Sequence, residues 1–164
     1  MAHDQSPIPT TTRVLSAIRD ARARLEAVIA AHDEAALTRP GPEGWSFKDH
    51  LAHLTVWRRM VLGYLDGRPQ HVGLGLDPAV TAEGEEAINA ALHRREQAKP
   101  WPQVLAEFRQ VYDDLTARLA AYTEADWQRP YPLTPSTGRP RLDNIEGNTF
   151  WHDDEHLGWV TPWL

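Results

Sequence analysis

Apolar residues in this chain return every three or four positions, and nowhere do they alternate over a strand-length run. Val14, Ile18, Leu25, Val28 and Ile29 mark one such stretch; Val104, Leu105, Phe108, Val111, Tyr112, Leu115 and Leu119 mark another. A period of 3.6 puts these side chains on one helix face, whereas a half-buried strand needs a period of two. The pattern points to an all-α fold. Breakers cut it into elements. Thr10 to Thr12 can cap a first helix that runs to about Ala31, and Thr38 to Gly44 is a loop rich in proline and glycine. Ser46 then caps a second helix to about Leu65, with Asp49 at the capping-box position. Asp66 to Asp77 reads as a long connection. Pro78 to about Gln97 reads as an accessory helix with Ala87, Ile88, Ala91 and Leu92 on its buried stripe. Lys99-Pro100-Trp101-Pro102 separates it from a third main helix ending near Tyr122. Thr123 to Asp143 is proline-rich loop, and Asp143 or Asn144 can cap a last helix over Ile145 to Val160. The economical arrangement is an up-and-down four-helix bundle with long crossovers. At 164 residues one domain is expected, since two would each lack core.

Composition narrows the function. With 17 basic against 23 acidic residues the net charge is −6, and the basic residues are scattered, so nucleic acid is not the expected partner. No apolar run is long enough for a bilayer, and the start does not resemble a signal peptide, so no membrane partner and a cytoplasmic location are expected. Met1 to Pro9 is polar and expected to fray. Cysteine is absent, which excludes thiolate ligands and cysteine nucleophiles. A metal in this chain must be held by imidazole, carboxylate or carbonyl groups.

His152-Asp153-Asp154-Glu155-His156 supplies such groups. Histidines at i and i+4 share a helix face, close enough for both rings to reach one ion. Ile145, Thr149, His152, His156, Trp159, Val160 and Trp163 fall along one broad face, which turns the imidazoles inward and leaves Asp153 and Asp154 outward. A lone interior histidine is ordinarily a hydrogen-bonded core residue. Two inward imidazoles are harder to satisfy with aliphatic neighbours. The second helix offers His53, on a stripe with Trp57, Met60 and Tyr64, and His50 one turn earlier, which reads as packing or ligand support. Three neutral imidazoles from two helices suit zinc, nickel or iron, with open positions for water or substrate. His3, His32, His71 and His93 read as solvated. Glu155, beside His156, is the candidate proton-transfer group, although a surface carboxylate fits the same position. Trp57, Tyr64 and Trp159 are candidate pocket walls.

Gly44-Trp45-Ser46-Phe47-Lys48-Asp49-His50-Leu51-Ala52-His53-Leu54 resembles the second-helix signature of the DinB/YfiT-like superfamily. Asn148-Thr149-Phe150-Trp151-His152-Asp153-Asp154-Glu155-His156 is similar to its last-helix element, and most of all to the ClbS/DfsB-type branch. The resemblance spans about Thr12 to Val160. It implies a four-helix bundle, often a homodimer, with one divalent metal on His53, His152 and His156. It also implies either of two functions. One is a metal-dependent enzyme acting on a small electrophilic molecule, by hydrolysis or with a low-molecular-weight thiol. The other is a non-catalytic self-resistance protein that sequesters a small molecule.

Overall fold

The computed structural model describes residues 9–130 and 141–164. Within them the Ser46 cap forms as expected. The Ser46 N–H and hydroxyl donate to Asp49 Oδ2 at 2.9 and 2.6 Å, and the Asp49 N–H returns a bond to Ser46 Oγ at 3.2 Å. This capping box satisfies donors that the first turn cannot pair internally. It fixes the start, and so the rotational phase, of the helix that carries His50 and His53.

In chain order the helices are α1 (Thr10–Ala31), α2 (Glu34–Thr38), α3 (Phe47–Leu65), α4 (Gln70–Leu74), α5 (Pro78–Ala82), α6 (Glu85–Glu96), α7 (Trp101–Ala120), α8 (Glu124–Gln128), α9 (Arg141–Gly147) and α10 (Phe150–Val160). The bundle is a ring of four: α1 packs on α7 and α10, and α3 packs on the same two. Helix α6 lies against α3, and α4 closes the far end of α3. The core runs through Val14, Ile18, Leu25, Leu51, Leu54, Met60, Phe108, Leu115, Leu119 and Val160. No helix among the described residues is long and apolar enough to cross a membrane.

Several boundaries differ from the sequence reading. No threonine side chain caps α1; its first N–H, from Thr10, donates to Glu124 Oε1 of α8 at 2.7 Å. Gly84 sits at φ +105°, outside helical space, and divides the accessory helix into α5 and α6. Short helices α4 and α8 occupy stretches read as loop, and α2 fills most of the gap between the first helix and the loop that starts at Thr38. The last helix is also two. Thr149 takes φ −127° and ψ −106°, and its hydroxyl donates to the Ile145 carbonyl, four residues back, at 2.5 Å. Gly147, Asn148 and Thr149 are weak helix formers, and the Asn148 and Thr149 side chains bond backbone carbonyls one turn back, so the ladder breaks there. The expected fraying at Met1 to Pro9 and the middle of the proline-rich loop fall mostly on residues 1–8 and 131–140, outside the described residues.

Candidate metal centre

Where α3 meets α10, the capped start of α3 and the Thr149 break of α10 bring their histidines together. His53 Nε2 lies 3.3 Å from His152 Nε2, and His156 Nε2 lies 3.1 Å from the same atom. All three rings offer a ligand atom within 4.8 Å of one another. Two imidazole nitrogens on a tetrahedral ion at 2.0–2.1 Å are about 3.3 Å apart, so the spacing matches the edge of such a polyhedron.

Hydrogen bonding among the rings accounts for the cluster less well. His152 Nε2 faces two ring nitrogens, and a single ring nitrogen is either one donor or one in-plane acceptor. The outer nitrogens, His53 Nδ1 and His152 Nδ1, are buried without a partner among the described residues. A divalent cation between the rings would use all three Nε2 lone pairs. His156 already has the support that metal-bound imidazoles ordinarily show. Its Nδ1 lies 2.7 Å from His50 Nδ1, so with Nε2 facing the centre its Nδ1–H donates to His50. His50 therefore orients a candidate ligand.

Electrostatics keep these rings neutral. Burial pushes His53 down to about 2, with the neighbouring His152, His50, Arg58 and His93 adding to the effect. His156 is lowered by burial first, then by His152 and His53. Burial takes His152 to about 4, helped by Arg58, and His50 to about 4 despite the opposing Asp49 carboxylate. Neutral imidazole is the form that binds a metal.

The cluster opens into a cavity of about 260 Å³, lined in part by Trp45, Asn89, Glu155 and Trp159. Of the residues expected at the pocket, Trp159 stands 53% exposed at its mouth, with its ring 4.6 Å from His156. Trp57 is buried, 6.0 Å from the rings of both His53 and His152, and lines a neighbouring space with His152 and Glu155. Glu155 is exposed and lines both spaces. Tyr64 does not line either. It follows His53 by about 16 Å of helix rise and sits half-buried near the far end of α3. His93 is not simply solvated: its ring stacks on Trp45 at 4.3 Å and 10°, with Nε2 3.7 Å from Asp49 Oδ2. His32 and His71 are partly exposed and away from the cluster, and His3 lies outside the described residues.

Asp153 reverses its expected direction. It is 0% exposed and pairs with Arg58, also 0% exposed, while the Tyr112 hydroxyl donates to its other oxygen. Arg58 also donates to the Leu54 carbonyl at 2.7 Å and to Tyr112 Oη at 2.6 Å, with its guanidinium 4.2 Å from the Tyr112 ring. The buried stripe of α10 is thus Phe150, Asp153, His156 and Val160. His152 and Trp159 sit on its flank, one step around the helix. The face expected from the sequence was centred on the histidines; the true interior is centred on the acid between them. Asp154 does point outward, to Arg24. Arg58 had no sequence signal except its place among Val56, Trp57 and Met60, where a charge needs a buried partner.

No curated protein and no solved structure matches the sequence significantly. The sequence model of the DinB superfamily does match, over residues 5–160, which contain both histidine-bearing segments in the expected order. With an all-helical bundle and a three-histidine cluster able to hold a metal, the chain belongs to the DinB superfamily.

Proposed function

We propose that this protein is a divalent-metal-dependent enzyme that acts on a small electrophilic molecule, by hydrolysis or by transfer of a low-molecular-weight thiol. The observation that carries the reading is the convergence of three neutral Nε2 atoms at the floor of an open cavity. His53, His152 and His156 would hold zinc, nickel or iron. The ion would supply Lewis acidity, which lets water or a thiol act as nucleophile near neutral pH. His50 fixes the His156 tautomer and ring plane. Glu155, exposed at the mouth, is positioned to carry a proton between substrate and solvent. Trp57 and Trp159 supply flat apolar walls on either side of the cluster. Asn148-Thr149 ahead of the histidine pair, and Glu155-His156 at its end, favour the ClbS/DfsB-type branch.

The test pairs elemental analysis with an activity screen. Purified protein loaded with zinc, nickel or iron should retain one equivalent, and His152→Ala should retain none. Electrophiles offered with water or thiol should turn over only in the loaded sample. Failure to retain metal under replete conditions refutes the reading. The aromatic walls also suit a sequestration protein, and tight ligand binding without turnover in loaded and chelated samples would favour that function.

A further inference from the structure

The loop before α3 folds back on itself. The Gly41 N–H donates to the Trp45 carbonyl at 2.8 Å, and Gly44 turns at φ +86°. A side chain at Gly41 would strike the Trp163 ring, since a Cβ there would lie 2.7 Å from its Cε2. Only glycine lets the loop lie this close to the chain's last aromatic residue. The result is a second space of about 430 Å³, walled by Trp45, Trp159 and Trp163, with Glu43 on its rim. It shares Glu43, Trp45, His50 and Trp159 with the cavity over the histidines. A third arm of about 230 Å³ shares Glu85, His152 and Glu155 with that cavity. Trp57 lines this arm, is 8% exposed, and its indole N–H has no partner among the described residues.

The charges of these connected spaces are one-sided. Glu43, Glu85 and Glu155 line them, and among the described residues no lysine or arginine does. The net charge of −6 adds to the same field. Indole faces attract cations through the ring quadrupole, and a carboxylate beside them deepens the well. Anionic ligands meet the reverse.

We propose that the Trp45, Trp159 and Trp163 arm binds a cationic ammonium group, so that the ligand of this site is a small amine or quaternary ammonium compound. In placing the ligand's reactive part at the histidines, the inference rests on the proposed function. The cation arm itself needs no metal.

Three probes of nearly equal shape separate charge from size: choline, the neutral 3,3-dimethylbutan-1-ol and the anionic 3,3-dimethylbutanoate. Titrations followed by calorimetry and tryptophan fluorescence should show choline binding about tenfold tighter than the alcohol, with the carboxylate weakest. Glu43→Gln and Trp159→Leu alter exposed side chains and should keep the parent circular dichroism. Each should remove most of the preference for choline. Equal affinity for choline and the alcohol, absence of saturable choline binding, or a preference retained in both variants would overturn the proposal. Each titration is run on chelated and zinc-loaded protein, with zinc counted separately. A cation preference without zinc uptake would refute the metalloenzyme and support the cation arm. Zinc uptake without the preference would do the opposite.

Discussion

Replacing Asp153 by leucine removes the only carboxylate paired with Arg58 among the described residues and leaves a fully buried guanidinium. Asp153 accepts from both Arg58 and Tyr112, so two donors lose their acceptor at once. Breaking a buried pair from one side costs about 3–5 kcal/mol, because the remaining charge is desolvated without compensation. At about 2–4 °C per kcal/mol for a chain of this size, Tm should fall by roughly 6–20 °C. Urea melts followed by far-ultraviolet circular dichroism give the cost directly. The triple variant Arg58→Met, Tyr112→Phe, Asp153→Leu removes every polar member of the group. It should return to within about 1 kcal/mol of the parent, since well-packed apolar residues can replace a buried pair at little cost. If Asp153→Leu costs less than about 1 kcal/mol, or the triple variant is no more stable than the single, the buried-charge argument fails.

Acid should destabilise the metal-free protein. Its four clustered histidines all have folded pKa values below the unfolded value, so the unfolded chain takes up more protons. Stability is full above about pH 6.5 and is lost progressively as pH falls through the lowered folded values, about 4 for His50 and His152; urea midpoints that stay flat over this range would contradict it. His50→Ala should weaken zinc affinity about 10–100-fold, read by competition with a chelator, while leaving one equivalent bound at saturation. An unchanged affinity would remove His50 from its supporting role. Leu115, 0% exposed on α7, should cost about 2–5 kcal/mol as Leu115→Ala, measured by the same melts. Chelation should lower Tm but leave the far-ultraviolet helical signal, because the apolar core is built without the histidines; loss of that signal would show the metal is needed to fold.

The start of α3 was legible because its information is local: Ser46 and Asp49 are three residues apart and satisfy each other. The same holds for the His152 and His156 spacing, which one helix turn imposes. The phase of α10 was not legible, because Asp153 is interior only by virtue of Arg58, 95 residues away on another helix. An acid between two histidines looks like a solvated face until that partner is known. The Thr149 break was hidden for a related reason, since Ile145 to Val160 keeps a helical apolar period across it. That His50 supports a ligand was readable from its place one turn before His53, but its partner, His156 on α10, is a contact that no spacing within α3 encodes. Tyr64 shares a stripe with His53, but a stripe fixes direction and not distance along the axis.

The break at Thr149 also moves an electric field. In an uninterrupted helix from Ile145, His152 would lie two turns from the start. In α10 it is the third residue, in a first turn with no side-chain cap. The aligned peptide dipoles of α10 therefore place their positive end beside the histidine cluster, an effect of about 0.3–1 kcal/mol that fades within one turn. That field opposes protonation of His152. Asp153 carries the one acidic charge in that turn, and Arg58 neutralises it on the core side, away from the cavity. Straightening the helix would leave both imidazoles in the sequence yet strip the dipole from the place where they meet.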